Sequence, residues 1–235
     1  MTSSTAPIEL DWKPVAAPRP TILRGRYVTL EPLDPGRHAP PLWEAVRSHD
    51  EVWTWLPDGP YSTESALRQA LAEKQASAAA VFFAIIPESQ PAPAAGFPAA
   101  AGYASYMRIE PAHGVIEVGN ILLAPCLQRT RAATEALFLM ACHVFEDLGY
   151  RRYEWKCNAQ NEPSRRAALR LGFSFEGVFR QHMIVKGRNR DTAWFAMLDS
   201  DWPARRLAFE RWLDPGNFDH QGRQKTPLQA SPAAS

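Results

Sequence analysis

The chain has 235 residues, 46% of them hydrophobic and 22% charged, and its formal net charge is +1. A soluble globular chain of this size removes about 70% of its unfolded surface from water, and the near-neutral balance leaves no global electrostatic argument for a nucleic-acid or membrane partner. Cys126, Cys142 and Cys157 are too irregularly spaced for a metal site or a disulfide framework. No apolar run reaches the ~20 residues of a bilayer span, and Met1-Thr2-Ser3-Ser4 lacks the basic and apolar segments of a signal peptide, so the expected location is the cytoplasm.

Residues 1–20 carry Pro7, Pro14, Pro18 and Pro20 among small polar residues and read as a flexible N-terminal arm, with Trp12 as its candidate anchor. Tyr27-Val28-Thr29-Leu30 alternates and stops at Pro32, marking a first strand. A helix is expected after Pro40-Pro41 through Leu42, Ala45 and Val46. Ser62-Thr63-Glu64-Ser65 opens a second, continued by Leu67 and Leu71. Val81 to Ile86 is a continuous apolar run, read as a buried strand, and the Pro- and Ala-rich stretch from Pro87 to Pro98 as a loop. Strands over Ala101 to Ile109 and Gly114 to Leu123 are joined by Glu110-Pro111-Ala112-His113 as a hairpin. Ala133, Leu137, Met140, Val144 and Leu148 recur at helical spacing until Gly149. Tyr153, Trp155 and Cys157 alternate as a strand, and Asn161 can cap a short helix with Pro163 in its first turn and Gly172 at its end. Strands over Ser174 to Val185 and Asp191 to Leu198 are joined by the basic strip Lys186 to Arg190, read as a hairpin tip. Asp201-Trp202-Pro203 starts a last helix carrying Leu207, Phe209 and Trp212, and residues 216–235 read as a flexible C-terminal tail. Between arm and tail a single domain, 21–215, mixes strands and helices, which argues for an α/β or α+β sheet covered by helices.

Two turns carry the chemistry. Gln128-Arg129-Thr130-Arg131-Ala132-Ala133 lies between a strand and a helix start, where free N–H groups and the helix dipole suit a pyrophosphate. Asn161-Glu162-Pro163-Ser164 follows the next strand. Side by side, the two turns would cradle a phosphate-bearing cofactor and place polar groups at its reactive end. Taken alone, each turn is also an ordinary polar helix start. Glu117, between Ile116 and Val118, is either on the wet face of its strand, paired with a nearby Arg, or has a task.

The order Ile116-Glu117-Val118-Gly119-Asn120, then Gln128 to Ala133, then Asn161-x-x-Ser164 through Gly172-Phe173 resembles the GNAT superfamily of acetyl-CoA-dependent N-acyltransferases. More narrowly, it is similar to the branch containing the ribosomal-protein N-terminal acetyltransferases. The resemblance runs from about Leu23 to Trp212. It implies a GNAT-like mixed, mostly antiparallel sheet, splayed at the cofactor site and flanked by helices. It also implies acetyl-CoA as cofactor, held by the backbone of Asn120, Ile121, Leu122 and Leu123, by the loop Gln128, Arg129, Thr130, Arg131, Ala132, Ala133 and Thr134, and by Asn161. Asn158 is a further candidate at its strand's end. Glu117 corresponds to the proposed general base and Ser164 to a hydroxyl that meets the leaving thiolate. Two positions depart from the family pattern. Arg131 stands where the loop usually has Gly, and Ala168 where a Tyr acid is common.

The acceptor is a small-molecule amine, an aminoacyl-type compound or a peptide N-terminus, attacked directly without an acyl-enzyme. Trp53, Trp55, Tyr106 and His182 are its candidate contacts. For the two Trp, a core role is the alternative. Arg151, Arg152, Arg165, Arg166 and Arg170 form a basic region at the cofactor end. A non-catalytic CoA-binding or interaction domain is the competing reading, and a homodimer stays open.

Overall fold

The computed structural model describes residues 10–88 and 100–228. An eight-stranded sheet has the order β1-β2-β3-β4-β5-β6-β8-β7, built from β1 (Leu23–Arg24), β2 (Val28–Pro32), β3 (Ala80–Pro87), β4 (Gly102–Glu110), β5 (Val115–Leu123), β6 (Arg152–Asn158), β7 (Ser174–Val185) and β8 (Arg188–Leu198). Every pairing is antiparallel except that of β5 with β6. Five helices flank the sheet: α1 (Pro35–Val46), α2 (Glu64–Gln75), α3 (Arg131–Cys142), α4 (Glu162–Arg170) and α5 (Trp202–Leu213). No helix of the described residues is long and apolar enough to cross a membrane.

Two cores form, one on each face. Ile116 and Val118 of β5 and Tyr153 and Trp155 of β6 meet Ala133, Ala136, Met140 and Val144 of the α3 segment, with Phe209 and Trp212 of α5 closing the same cluster. On the other face Leu42 and Val46 of α1 and Leu67 and Leu71 of α2 cover Phe82, Tyr103 and Leu122. Alternation along each strand sends successive side chains to opposite faces, and one extra residue in β5 between Gly119 and Leu122 reverses the phase, so Val118 and Leu122 of one strand serve different cores. The second core covers the N-terminal half of the sheet, while the strands from β5 to β7 carry charged residues on that face.

The expected elements are present, with differences at their ends. α1 begins at Pro35, before Pro40-Pro41, because Asp34 caps it by accepting from the N–H groups of Gly36 and Arg37. Proline suits the first turn, and the cap offsets the two amides that Pro40 and Pro41 lack. Thr63 caps α2 through Ala66 N at 3.1 Å. The α3 helix widens into a π-turn from His143 to Asp147, where the Tyr106 hydroxyl donates to Met140 O at 2.8 Å. β8 starts at Arg188, so the β7–β8 tip is only Lys186-Gly187, with φ +48 and +72, the left-handed pair that matches hairpin twist.

The segments expected to flank the domain pack on it as far as they are described. Trp12 is the anchor of the N-terminal segment: its Nε1 donates to Ala112 O at 2.8 Å, and Arg151 lies over its ring. Residues 1–9 lie outside the described residues. The expected tail is corrected over 216–228, where Phe218 and Leu228 are buried in the larger core; residues 229–235 lie outside the described residues, as do 89–99 of the expected loop. A carboxylate ties the first turn to α3. Glu135 accepts from the amides of Arg26 at 3.0 Å and Tyr27 at 2.6 Å, and a Cβ on Gly25 would come within 2.5 Å of that carboxyl group, so a side chain there would push the carboxylate off those two amides.

Candidate functional site

The parallel pair that joins the two halves of the sheet comes apart. Val115 to Val118 of β5 pair with Arg152 to Trp155 of β6, yet β5 runs on to Leu123 and β6 to Asn158 with no further pairing between them. The cause is a bulge on the other edge of β5. Tyr103 faces Leu122 and Ser105 faces Gly119, so Asn120 and Ile121 together oppose the single residue Ala104. Asn120 takes φ +49 there, a conformation that Asn tolerates better than most residues. A bulge bends its strand, and the two strands diverge. The gap between them opens into a cleft of about 1540 Å³ bounded by the starts of α3 and α4.

At one end of the cleft is the Gln128 turn. Arg129 takes φ +61, and Thr130 caps α3 by accepting from Ala133 N at 3.1 Å. Gln128 Nε2 donates to Leu123 O at 3.0 Å, fixing the turn to the end of β5. Among the described residues the N–H groups of Arg129, Arg131 and Ala132 have no acceptor, and two of them are the first amides of a 12-residue helix. Such amides at the positive end of a helix dipole suit an anion. Arg131 keeps the helical backbone. Its guanidinium turns aside to lie between the rings of Tyr27 and Phe218, 4.7 and 4.6 Å from their centroids, so the substitution for Gly leaves the loop intact.

The Asn161 turn lines the same cleft, and the opposite end of α4 meets the first turn of α3. Arg170 of α4 donates from Nη1 to Thr134 Oγ1 in the first turn of α3 at 3.3 Å. Asn161 caps α4 by accepting from Ser164 N at 3.1 Å. The Ser164 hydroxyl accepts from Trp155 Nε1 at 3.0 Å, and its own proton is directed at the neighbouring sulfur of Cys157. Asn158 accepts from Gln160 N at 2.9 Å and closes the end of β6. Ala168, at the position where a Tyr is common, is completely buried and faces the core.

Glu117 lies at the point where the strands part. It is only 4% exposed, and Lys156 Nζ and Arg108 Nε each approach its Oε2 at 2.8 Å. Burial holds its carboxyl above the usual glutamate range, Lys156 and Arg108 pull it back down, and Glu154 pushes it up. The contacts continue along the sheet: Lys156 meets Glu154 at 2.6 Å, Glu154 meets Arg152 at 2.6 Å, and Arg152 meets Glu176 at 2.5 Å. The carboxylate is thus ion-paired, as the structural alternative expects, and it also borders the cleft.

Of the expected cofactor contacts, Asn120, Ile121, Leu123, the whole loop from Gln128 to Thr134, Asn158, Asn161 and Ser164 border the cleft. The side chain of Leu122 does not, because alternation turns it into the smaller core. The acceptor candidates divide. Trp55 borders the cleft and is 39% exposed. Trp53 does not. It is buried edge-on against Tyr61 at 5.2 Å, in the core role that was its alternative. Tyr106 belongs to the opposite face, buried between Phe83 and His143. His182 is bonded to Thr192 Oγ1 at 2.9 Å and packs beside Phe179 and Trp194, near the cleft cations but not among the residues that line it. The basic region is dispersed: Arg166 and Arg170 border the cleft, Arg151 lies over Trp12, and Arg152 is paired with Glu154 and Glu176.

The sequence reading did not single out Arg108, Lys156, Met183 or Arg190, all of which border the same cleft. Lys156 alternates with the apolar residues of β6, a detectable signal. Arg108 occupies an irregularity in β4 with φ +46, which no spacing rule reveals. No cluster of His, Cys, Asp or Glu suited to a metal ion occurs among the described residues.

A family model described as an acetyltransferase (GNAT) domain matches residues 28–174. Among curated proteins, none matches the chain. Among solved structures, a GCN5-related N-acetyltransferase from Brucella melitensis is 48% identical, covering 93% of this chain and 96% of that one with a TM-score of 0.87. A probable GNAT-family acetyltransferase from Chromobacterium violaceum is 38% identical over 86% of this chain and 98% of that one, with a TM-score of 0.76. An acetyltransferase from Salmonella typhimurium that modifies the N-terminal serine of ribosomal protein L7/L12 shares the fold, at 20% identity over 76% of this chain and 99% of that one and a TM-score of 0.62. The splayed sheet, the helix start with unclaimed amides and these matches agree: the chain belongs to the GNAT acetyltransferase family.

Proposed function

We propose that the chain transfers an acetyl group from acetyl-CoA to the amine of a small molecule or peptide by direct attack, with both partners held in one cleft. The observation that carries this reading is the juxtaposition at the splay, where the buried carboxylate of Glu117, the donor-capable hydroxyl of Ser164 and the free amides of α3 border a single cavity.

The residues present fit the cofactor. Three unclaimed amides suit a diphosphate, and the unpaired edges of β5 and β6 offer main-chain groups to the amides of a pantetheine arm. Bound acetyl-CoA supplies an acetyl group activated as a thioester. Arg129, Arg131 and Ala132 contribute the amides for the phosphates, while Asn120, Ile121, Leu123 and Asn158 form the walls of the channel. Glu117 accepts the proton of the acceptor nitrogen. Arg108 and Lys156 favour the neutral amine, because like charges nearby disfavour an ammonium. Ser164, oriented by Trp155, can turn its Oγ proton from Cys157 to hydrogen-bond the negative charge that develops on the leaving sulfur.

Labelled acetyl-CoA incubated with a panel of amines and peptides tests the reading. The expected result is label on an amine nitrogen with one thiol released per transfer. Binding of acetyl-CoA without transfer to any amine would contradict it.

A further inference from the structure

We propose that the acceptor carries a carboxylate in addition to its amine, and that Arg190, with Arg108 beside it, receives that carboxylate in a pocket walled by Trp55, Met183 and Val185. The inference rests on the reading above, that this cleft acetylates an amine.

Charge balance carries the argument. Six groups on this face form one continuous chain of ion pairs, Glu176–Arg152–Glu154–Lys156–Glu117–Arg108. Three carboxylates meet three cations, so the chain is neutral. Arg190 is a seventh group, and no carboxylate pairs with it among the described residues. Its Nε is buried without a hydrogen-bond partner, and burial pulls its guanidinium below the usual arginine range. Arg190 is partly buried and feels Glu117 only from beyond ion-pair distance, so its guanidinium retains the capacity to take a further anion.

Position selects the acceptor rather than the cofactor phosphates as that anion. Arg190 pairs across the hairpin with Met183, and it lies near the Cys157 thiol and within the influence of the charges of Glu117 and Arg108. The Gln128 turn at the far end of the cleft has its own amides and Arg129. A bulge lies on β7 just before Met183. Gln181 takes φ +52, and its N–H is held by Asp191 Oδ1 at 2.7 Å. Opposite, Arg108 sits in a second bulge at φ +46. Bulges of this kind re-aim side chains beside functional sites. Lys186 Nζ donates to Trp53 O at 2.9 Å and ties the hairpin tip to the turn that carries Trp55. The pocket thus has a guanidinium fork on its floor and apolar walls, which suits an α-amino carboxylate with an apolar side chain. Glu51 at the rim is engaged by His49 at 3.1 Å.

The test uses the full chain, with L-phenylalanine and L-phenylalaninamide as probes, for the wild type and for Arg190→Gln and Arg190→Lys. Differences in amine pKa cancel when each variant is compared with the wild type on the same probe. Arg190→Gln is expected to raise KM for the carboxylate by about 10- to 100-fold, the range for loss of a charge-assisted bond, and to affect the carboxamide far less, with Arg190→Lys intermediate. A readout without turnover accompanies it: N-acetyl-L-phenylalanine binds the CoA-loaded protein by calorimetry more tightly than its carboxamide, and Arg190→Gln removes the difference. Equal use or equal binding of the two probes overturns the proposal, as does a fall in kcat common to both probes, which would place Arg190 at the leaving sulfur. Transfer to amines without preference for a carboxylate leaves the acetyltransferase reading standing, whereas failure to bind acetyl-CoA would end that reading as well.

Discussion

Glu117→Gln removes one proton acceptor and one negative charge while keeping the shape of the side chain. A free α-amine has a pKa of about 8, so roughly one-tenth of it is neutral at pH 7 and roughly nine-tenths at pH 9. The wild type can bind the ammonium form and take its proton inside the cleft. The variant can use only the fraction already neutral. At pH 7 the loss in kcat/KM is expected to be about 100-fold, the lower range for general-base catalysis, which corresponds to about 2.7 kcal/mol of barrier. Between pH 7 and 9 the variant should recover about tenfold while the wild type stays nearly flat. The raised pKa of Glu117 fixes the sign: on acidification the wild type loses its base above the ordinary glutamate range, because burial makes the carboxyl hold its proton more tightly. Stability changes separately. Lys156 keeps Glu154 at 2.6 Å, so the unfolding cost should be about 1–3 kcal/mol rather than that of an orphaned buried charge, and denaturant midpoints measure it. Initial rates across pH, with acetyl-CoA saturating, are the assay. Parallel profiles for variant and wild type would refute the base role.

Ser164→Ala should lower kcat by roughly 100-fold with little change in KM for acetyl-CoA, and it should cost about 1–3 kcal/mol because Trp155 Nε1 loses its acceptor; steady-state kinetics and urea unfolding separate the two. Arg131→Gly removes two cation–π contacts, each worth roughly 0.5–1 kcal/mol, so limited proteolysis should cleave around Phe218 to Leu228 faster while CoA still binds. Unchanged cleavage would show that the sandwich does not hold this segment. Glu135→Ala leaves the amides of Arg26 and Tyr27 without acceptors, at about 2–4 kcal/mol in total, and the melting temperature should fall by about 5–15 °C.

The sequence made the sheet legible where periodicity and punctuation agree. Val81 to Ile86 is apolar throughout because β3 is covered on both faces, and Gly149 and Gly172 end their helices at φ +72 and +93. Pro40-Pro41 misled because a strong cap six residues upstream outweighs two missing amides, and local rules treat each proline alone. The site was legible to the extent that its parts are local: a strand, a turn and a helix start within one stretch. The proposed acceptor end is assembled from β4, β6, β8 and the turn after α1, whose residues are far apart in the chain. Trp53 and Trp55 show the difficulty. They are two positions apart in a tight turn, and only the packing of Tyr61 and the hairpin tip decides which one is buried. Arg190 was read as part of a hairpin tip because its strand starts three residues earlier than the expected Asp191.

A crystal structure of the chain with CoA tests the central claim most directly. The account predicts the diphosphate on the amides of Arg129, Arg131 and Ala132, and the pantetheine arm running between Gly119 to Leu123 of β5 and Lys156 to Asn158 of β6, with its sulfur between Glu117 and Ser164. CoA bound outside the splay, or β5 and β6 zipped together beyond Val118 and Trp155 with the nucleotide excluded, would contradict it.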